Sequence, residues 1–307
     1  MTEGPAGPRV YSAGELRDRV SPRRARQLVE AALAAGFDPA ADPARVNTPA
    51  GAGHLLLMPS GLGDWVGVKV ASVAPDNPRR GLPRIQAVYV LMDAQTLTPR
   101  AVVDGVGLTS LRTPAVSAVA ADRLAPPEAA ELLVFGSGPQ AVEHVVALAD
   151  VRRFAHVRIV GRSAGKVAAA VAELTERGVA AETGAVADVA RADVVVCATS
   201  AADPLFDGGL VRDGACVVAV GSHEPDRREL DAGLLGRSLV VVEDPDAALR
   251  EAGDVVQAVA AGRLEPHALV GLAALVRGEV TRCEDRPNVF KSVGMSWEDL
   301  AVAAGVV

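Results

Sequence analysis

The chain has 307 residues, enough for two domains or one large domain, and half of them are hydrophobic whereas only 3% are aromatic. Its 31 basic and 38 acidic residues give a net charge of -7, so no net basic field attracts nucleic acid or an anionic membrane surface. The three cysteines are widely spaced and odd in number, which favours reduced thiols over a disulfide framework or a metal site.

Targeting signals are not evident at the sequence level. No apolar run reaches the roughly 18 residues of a transmembrane helix, and the first residues, MTEGPAGPRVYSAGEL, lack the basic-then-apolar layout of a secretory signal. We therefore expect a cytoplasmic protein without a membrane partner.

The first third of the chain is rich in predicted strands. Residues 1–10 contain several glycines and prolines and are expected to be loose. Ser21-Pro22 predicts the start of a helix that runs to residue 35 and ends at Gly36. An extended piece at 45–47 and strands at 54–58, Trp65–Val73, Ile85–Asp93 and 101–104 follow.

The remainder alternates between strands and helices. A helix is predicted at 109–124, ended by Pro126-Pro127, and a last helix starts at Ser296. Between them, strands are predicted at 132–135, 157–160, 193–198, 215–220 and 238–242, and helices at 139–149, 164–177, 254–260 and 266–277. Alternation with short loops predicts an α/β fold, a doubly wound parallel sheet of the Rossmann type.

The stretch ELLVFGSGPQAVEHVVAL, residues 131–148, has the pattern of a dinucleotide-binding turn. Gly136 permits a tight turn, Gly138 lets the backbone approach a pyrophosphate, and the small Ala141 lets the helix pack close to the strand. The N–H groups of the first helical turn then face the anion. The turn itself contains Gly136, Ser137, Gly138, Pro139 and Gln140. The alternative is a glycine turn in an α/β domain that binds no phosphate.

The end of the second strand of this unit indicates which dinucleotide is preferred. An acidic residue at this position would bind the ribose hydroxyls of NAD, but the chain has Arg162 followed by Ser163, with Lys166 one helical turn further on. This group suits the 2′-phosphate of NADP. The sequence predicts NADP(H), with NAD(H) still possible; the alternative is a solvated loop arginine.

Ligands of such sheets bind at the carboxyl ends of the strands, which directs attention to two loops, Thr199-Ser200 and Gly221-Ser222-His223. In the strand-rich first third, Lys69 lies within the apolar strand GVKVASV, and Arg112 lies one turn into a helix. A lysine between two valines is a candidate for a tuned acid or base. An edge-strand lysine that blocks sheet pairing explains the pattern equally well.

Six segments resemble the ornithine cyclodeaminase/μ-crystallin family, in the family's order, from about residue 45 to the C-terminus. They are GVKVASVAPDNPRRGLPRIQAVYVLMD, AVVDGVGLTSLRTPAVSAVAADRLA, VFGSGPQAVEHVVAL, ADVVVCATS, AVGSHEPDRRELD and VFKSVGMSWEDLAVA. The resemblance implies a homodimer with a mixed α+β substrate and dimerisation domain, residues 1–125 plus 283–307. A Rossmann domain, residues 126–282, is inserted into it.

The resemblance also implies roles for individual residues. Arg45 and Arg112 resemble the arginines that grip a substrate α-carboxylate, a task that suits bidentate guanidinium groups. Lys69 resembles the active-site lysine that exchanges a proton with the substrate nitrogen. Two further sets are implied in the same way: Thr113 and the turn Asp104-Gly105 resemble the pocket wall around these residues, and Ser292 and Gly294 resemble the segment that reaches the nicotinamide.

Two positions depart from the cyclodeaminases. His223 stands where those enzymes have an aspartate expected to engage the ornithine amine, and imidazole attracts an ammonium group poorly. Arg84 replaces a threonine and makes the pocket rim more cationic, which suits a second acidic group on the substrate. Met58, Arg84 and His223 are expected to decide substrate size and side chain. A loop histidine with no catalytic role is the alternative for His223.

The sequence thus predicts an NADPH-dependent reductase of cyclic ketimine carboxylates, with a small imino acid as substrate. Lys69 is the expected proton donor, His223 is a second candidate, and Arg45 and Arg112 hold the carboxylate. Three other enzymes remain alternatives: an ornithine or lysine cyclodeaminase, an amino-acid dehydrogenase of the alanine type, and a dehydrogenase that joins an amino acid to a keto acid. So does a nicotinamide-dependent binding protein without useful turnover.

Overall fold

The computed structural model describes residues 7–307, and the expectation of a loose segment at residues 1–6 lies outside this range. The chain divides into two compact units. One contains the described residues up to Arg112 together with Met295–Val307, and the other is Thr113–Gly294. The sequence analysis placed residues 113–125 and 283–294 in the substrate and dimerisation domain. In the structure both segments belong to the second unit.

The first unit is built on a six-stranded sheet in the order β1-β6-β5-β4-β3-β2. Its strands are β1 (Arg9–Tyr11), β2 (Val46–Ala50), β3 (Gly53–Leu62), β4 (Trp65–Val73), β5 (Ile85–Asp93) and β6 (Pro99–Asp104). Neighbours from β2 to β6 are antiparallel, and β1 pairs with β6 in parallel. The expectation of a loose chain up to residue 10 is wrong for Arg9 and Val10, because both belong to β1 and pair with β6.

Three α-helices begin in this part of the chain: α1 (Ala13–Arg19), α2 (Pro22–Ala34) and α3 (Gly105–Leu124). The helix at α2 was predicted; Ser21 caps it and Pro22 occupies its first turn. Helix α1 was not predicted, although Ser12 and Glu15 form a capping box in which each side chain bonds the backbone N–H of the other. Short 3-10 helices occur at Pro39–Ala41 and Asn77–Arg80.

Strand β4 is an interior strand that lies between β3 and β5. Its burial alternates with the pleat, so that Gly67, Lys69 and Ala71 are buried on one face. The edge-strand alternative for Lys69 is therefore wrong: both edges of β4 are paired, and the side chain needs a different explanation.

The second unit is built on an eight-stranded sheet, all of it parallel, in the order β13-β12-β14-β11-β10-β7-β8-β9. Its strands are β7 (Glu131–Phe135), β8 (His156–Val160), β9 (Glu182–Thr183), β10 (Val194–Cys197), β11 (Cys216–Ala219), β12 (Leu239–Val242), β13 (Val270–Gly271) and β14 (Asn288–Lys291). Its helices are α4 (Pro139–Ala149), α5 (Ala164–Glu176), α6 (Ala232–Arg237), α7 (Pro245–Glu251), α8 (Gly253–Ala260) and α9 (Leu272–Val276), with 3-10 turns at Val186–Arg191, Gly208–Leu210 and Pro266–Ala268. The order reverses between β7 and β10, which confirms the doubly wound fold.

Three strands of this sheet were not predicted: β9, β13 and β14. Residues 266–277 were predicted to be helical, but they contain β13, which pairs with β12, and only the short helix α9. Strand β14 was not predicted, and it pairs with β11 on one side and β12 on the other. Short apolar runs fit a buried strand and a helix equally well, so periodicity cannot separate them.

The chain returns to the first unit through α10 (Ser296–Ala303), followed by a 3-10 turn at Ala304–Val306. All eight residues of α10 are buried, and the helix packs on β3 and β4. The helix predicted from Ser296 is confirmed. Its acidic first turn is therefore placed against the buried face of β4.

Candidate active site

The two glycines of the turn after β7 have different environments. Gly136 has φ +123°, and a Cβ atom there would lie 2.4 Å from the carbonyl oxygen of Ala198. Gly138 has an extended conformation, and nothing lies within 4 Å of a Cβ built on it. Gly136 thus allows the turn to pass against the end of β10, whereas Gly138 leaves its own backbone open to a ligand.

This turn forms one wall of a cleft of about 850 Å³, which we call the glycine cleft. It lies where β7, β8 and β10 end, at the reversal of strand order. Of the residues predicted to bind the cofactor, it brings together Gly136, Ser137, Gly138, Arg162, Ser163, Lys166, Thr199 and Ser200. Residues not predicted complete the lining: Phe135, Val160, Gly161, Val186, Ala198, Ala201, Ala202, Asp203 and Leu205.

The glycine cleft has the features that hold a dinucleotide phosphate. Helix α4 starts at the cleft with Gly138 as its N-cap, and among the described residues no side chain forms a capping hydrogen bond there. The first N–H groups of such a helix have no partner within the helix and attract an anion. Arg162 and Lys166 are exposed cations on the lining. The residues present fit a dinucleotide by backbone donors, charge and volume.

Ser163 has a second role in this cleft. Its hydroxyl oxygen accepts a hydrogen bond from the N–H of Lys166 at 3.5 Å and so caps α5. The cap fixes the direction of the first turn of α5, so that Arg162, Ser163 and Lys166 lie along one wall. Such a wall offers two cations and one hydroxyl group to an anionic group of a ligand.

The predicted residues Ser222, Ser292 and Gly294 do not line the glycine cleft. Ser222 donates its hydroxyl to the carbonyl of Arg227, and Ser292 donates its hydroxyl to Glu243. Gly294 donates its N–H to the same carboxylate at 2.9 Å. These groups therefore hold the loops after β11 and β14, and their contact with a cofactor stays a prediction. Pro139 and Gln140 lie in the first turn of α4, outside the lining.

The first unit contains a group of buried charged side chains. One of them, Arg112, is in α3 and is the last residue of this unit before the chain enters the second unit. We call this group the lysine cluster: Lys69, Arg112, Glu298 and Asp299. The ammonium group of Lys69 donates to Asp299 at 2.6 Å and to the hydroxyl of Thr109 at 3.3 Å. All four charged side chains are buried, and both carboxylates are fully enclosed. They come from β4, α3 and α10, which are far apart in the sequence.

Arg112 is held by both carboxylates of the lysine cluster. Its Nη1 donates to Glu298, and its Nε lies 3.3 Å from Asp299. Two cations therefore face two carboxylates, which balances the charge that burial would otherwise penalise. These ion pairs fix the plane of the guanidinium group, and its grip on a substrate carboxylate stays a prediction.

Burial lowers the pKa of Lys69 to about 8, and the positive charge of Arg112 acts in the same direction. Asp299 opposes this change through its charge and its hydrogen bond. The ammonium group is therefore mostly protonated at neutral pH yet gives up its proton more readily than an exposed lysine. This is the property of a general acid that works near neutrality.

A partly buried carboxyl group of the first unit, that of Asp42, also has a displaced pKa. Burial raises the pKa of Asp42 to about 6, and the negative charge of Asp299 acts in the same direction. Its oxygens accept hydrogen bonds from the hydroxyl of Ser60 at 2.6 Å and from the N–H of Trp297 at 2.9 Å, and both of these bonds oppose the increase. Asp42 thereby holds the start of α10, which carries Glu298 and Asp299.

The remaining predicted residues have different environments. Met58 is buried and is the register partner of Lys69 across β3 and β4. Arg45 is partly buried just before β2, and Thr113, partly buried in α3, follows Arg112. Arg84 and His223 are exposed loop residues of the first and second unit, respectively.

Sequence reasoning missed the acidic members of the site. Glu298 and Asp299 were interpreted only as the polar first turn of a helix, a common place for acidic side chains. The signal that distinguishes them is that the rest of α10 is apolar, so that both carboxylates must be buried. Asp42 has no comparable sequence signal. Asp104, whose carboxylate accepts from the N–H of Gly107 at 2.6 Å, was expected only as part of the pocket wall.

Across residues 7–307, no group of histidine, cysteine and acidic side chains has the arrangement of a metal site. In the same range, no helix has the length and hydropathy needed to cross a membrane.

A family model described as the ornithine cyclodeaminase/mu-crystallin family matches residues 12–307. The chain belongs to this family. The match confirms the resemblance that the six motifs indicated, and it spans both units of the fold described above.

One relative in the ornithine cyclodeaminase/mu-crystallin family is the ketimine reductase mu-crystallin of Rattus norvegicus, 33% identical over 96% of this chain and 95% of that protein. A solved structure of Thermococcus litoralis Δ1-pyrroline-2-carboxylate reductase with NADH and L-proline is similar with a TM-score of 0.90, at 28% identity over 97% of this chain and 95% of that one. An archaeal alanine dehydrogenase dimer with bound NAD also has a TM-score of 0.90, at 27% identity over 97% and 94%.

Proposed function

We propose that this protein is an oxidoreductase that reduces the C=N bond of a cyclic ketimine carboxylate with a reduced nicotinamide dinucleotide, preferably NADPH. The observation that carries the proposal is Lys69, an ammonium group with a lowered pKa, buried against Asp299 in a chain whose second unit has a dinucleotide cleft. Membership in a family with ketimine and pyrroline-carboxylate reductases supports the same reaction.

The glycine cleft is the proposed cofactor site. When bound there, the reduced nicotinamide supplies a hydride to the imine carbon. The backbone of Gly136 and Gly138 and the start of α4 hold the pyrophosphate, and Arg162, Ser163 and Lys166 bind the 2′-phosphate of NADPH. The two similar structures contain NADH and NAD, so they do not support a preference for NADPH. That preference is supported by the cationic wall of the glycine cleft.

Lys69 is the proposed proton donor. Protonation of the imine nitrogen makes its carbon a better hydride acceptor, and the nitrogen of the product amine retains that proton. A donor with a pKa of about 8 matches this task better than an exposed lysine, since less free energy is needed to release the proton.

Two arginines are proposed to hold the substrate. Arg45 and Arg112 bind the carboxylate, and the ion pairs of Arg112 with Glu298 and Asp299 orient its guanidinium group before substrate arrives. Met58, Arg84 and His223 are proposed to select the ring and side chain of the substrate. His223 is a second candidate proton donor.

We also propose that the protein forms a homodimer through the first unit and acts in the cytoplasm. Several apolar side chains on or beside the first unit's sheet are exposed in the single chain: Val10, Val46, Leu82, Ile85 and Val88. Exposed apolar side chains of this number favour burial against another protein surface. The similar alanine dehydrogenase is a dimer, which supports this assembly.

The test is a cofactor-consumption assay with the purified protein, NADPH or NADH, and Δ1-pyrroline-2-carboxylate or Δ1-piperideine-2-carboxylate. We expect oxidation of NADPH, with a larger kcat/KM than for NADH, and formation of the cyclic amino acid. Tight NADPH binding without turnover of either imine would contradict the proposal and point to a binding protein. Ammonia release from ornithine or lysine would point to a cyclodeaminase, and NADH formation from an amino acid to a dehydrogenase.

A further inference from the structure

The carboxylate of Glu229 is fully buried in the second unit and connects two loops. Its Oε1 accepts hydrogen bonds from the backbone N–H and the hydroxyl of Thr199, each at 2.7 Å. Its Oε2 accepts from the N–H of Gly221 at 2.7 Å. Thr199 follows β10 and Gly221 follows β11, so one side chain joins the ends of two neighbouring strands.

The backbone of Glu229 makes a further contact with the same region. Its carbonyl oxygen accepts a hydrogen bond from the N–H of Leu205 at 2.9 Å. Thr199 and Leu205 are the two ends of the segment 199–205, most of which lines the glycine cleft. Glu229 itself is not part of the lining, yet it holds this wall at both ends.

Glu229 is in turn held in place by a buried ion pair. The N–H of Glu229 donates to Asp254 at 2.7 Å, and Asp254 lies 3.2 Å from the ammonium group of Lys291. Lys291 donates to the carbonyl of Ser222 at 2.6 Å, next to Gly221. Lys291 thus contacts the same loop after β11 that Glu229 bonds. Asp254 and Lys291 together restrict the movement of Glu229.

The hydrogen-bond pattern shows that Glu229 acts as a carboxylate. Every partner of its carboxyl oxygens among residues 7–307 is a donor: two N–H groups and one hydroxyl. Burial raises the pKa of Glu229, while the charge of Lys291 and the three donors oppose the increase. Replacement by an amide would bring an NH₂ group towards one of these donors and break at least one bond.

The two loops are in such close contact that a side chain at Gly221 has no room. A Cβ atom there would lie 2.0 Å from the carbonyl oxygen of Thr199 and 2.6 Å from a carboxylate oxygen of Glu229. The position of the loop after β11 therefore determines that of Thr199, with Glu229 as the bridge between them.

We propose that Glu229 is a positioning residue that preforms the 199–205 wall of the glycine cleft for the dinucleotide. It acts through Thr199 and Leu205 and does not itself touch the ligand. This inference rests on the proposed function, because it takes the ligand of the glycine cleft to be a nicotinamide dinucleotide.

Glu229→Gln is the test variant, and Asp193→Asn is its matched control. Asp193 also joins two strands by a carboxylate, since it accepts from the N–H groups of Ala130 and Glu131 at 2.7 and 2.8 Å. It does so just before β10 and β7 begin, at the end of the sheet opposite the glycine cleft. Both substitutions exchange a carboxylate for an amide of the same size. In Asp193→Asn the amide oxygen can keep both of these N–H bonds, and the contact that is lost is that of the other carboxylate oxygen with Arg212.

We expect Glu229→Gln to raise the Kd for NADPH by about tenfold or more, in line with the loss of one charge-assisted hydrogen bond. The KM for NADPH should rise in parallel, with kcat at saturating NADPH changed less than about threefold. Asp193→Asn should lower the melting temperature but leave the Kd for NADPH unchanged. A Glu229→Gln protein that binds NADPH like the wild type, with only a lower melting temperature, would overturn the proposal.

Hydrogen exchange of the wild-type protein without cofactor tests the same idea if Glu229→Gln does not fold. A preformed wall predicts slow exchange at the N–H groups of Thr199, Leu205 and Gly221 before NADPH is added. Exchange there as fast as in an exposed loop would overturn the proposal. If the wild type shows protected amides but binds no nicotinamide dinucleotide, the proposed function fails while the role of Glu229 in holding this wall stands.

Discussion

The glycine cleft and the lysine cluster consist of different kinds of chemical groups. The glycine cleft is made largely of backbone and small side chains from three short segments that follow β7, β8 and β10. The lysine cluster is made of four charged side chains brought together from β4, α3 and α10. The first offers a ligand mainly main-chain groups and exposed cations, and the second changes the acidity of one ammonium group through burial and ion pairs.

This difference predicts how substitutions will behave. A change in the lysine cluster should affect the chemical step and its pH dependence with little effect on cofactor affinity. A change in the glycine cleft should do the reverse. The substitutions below test this separation in order of decreasing effect.

Lys69→Ala should reduce turnover by about 1,000-fold, because the proton donor is lost. The Kd for NADPH should stay within about twofold of the wild type, since Lys69 lies outside the glycine cleft. The matched change is Lys166→Ala, which should weaken NADPH binding and leave turnover at saturating NADPH near the wild-type rate. Cofactor titration and steady-state kinetics distinguish the two. Loss of NADPH binding in Lys69→Ala would mean that the lysine is structural.

The pH dependence of turnover tests Asp299. With Lys69 as the acid and a pKa of about 8, the active protonated form is lost as the pH rises above 8, so kcat should fall about tenfold per pH unit. Asp299 raises the pKa of Lys69, so Asp299→Asn should move this descending limb to lower pH. If the descending limb of Asp299→Asn lies about one pH unit below that of the wild type, its kcat above pH 8 should be roughly tenfold lower than the wild-type kcat at the same pH.

Asp42→Asn is the control for this pH profile. Asp42 is also partly buried in the first unit, but it is not among the groups that move the pKa of Lys69. Its replacement should leave the position of the descending limb unchanged. A limb that does not move in Asp299→Asn, or that moves equally in both variants, would contradict the role given to Asp299.

The two glycines of the turn after β7 should separate stability from binding. Gly136→Ala forces a Cβ into a positive φ and against Ala198, and should destabilise the fold by more than about 1 kcal/mol. Gly138→Ala meets no neighbour and should leave the melting temperature nearly unchanged. It should still raise the Kd for NADPH about tenfold, because its methyl group occupies the proposed path of the pyrophosphate. Unchanged affinity in Gly138→Ala would argue against a phosphate at this turn.

The smallest expected effect concerns the choice between NADPH and NADH. Arg162→Ala should raise the Kd for NADPH by up to about tenfold, since a charge-assisted hydrogen bond to the 2′-phosphate is lost. The Kd for NADH should hardly change. Arg191→Ala is the control, because Arg191 is an exposed arginine of the same unit that pairs with Asp188 and lies outside the glycine cleft. Equal losses for NADPH and NADH in Arg162→Ala would remove the proposed preference for the phosphorylated cofactor.

The sequence permits good prediction wherever the signal is local. The strands Trp65–Val73 and Ile85–Asp93 were predicted with the bounds that the structure has, because apolar β-branched runs between turn residues identify a strand. The glycine turn, the start of α4 and the cationic wall of Arg162, Ser163 and Lys166 were predicted for the same reason. These residues lie within a few positions of each other, so their spacing already contains most of their geometry.

Other features depend on contacts between distant parts of the chain. Strand β14 is predicted poorly because its place between β11 and β12 depends on two partners far from it in sequence. The same holds for the second boundary between the domains. It was predicted between residues 282 and 283 but lies after Gly294, because β14 belongs to the second sheet. Glu229, which bonds Thr199 and Gly221, had no motif that could single it out.

The sequence by itself determined the doubly wound α/β unit and its glycine turn, because these follow from short-range periodicity and spacing. It indicated the family through the resemblance of six segments, which the family match confirms. Only the tertiary structure decided that Lys69 lies on an interior strand and that Glu298 and Asp299 face it from a helix some 230 residues away in the chain. The physical reason is that the acidity of a buried group depends on its desolvation and on neighbouring charges, and both depend on packing between distant segments.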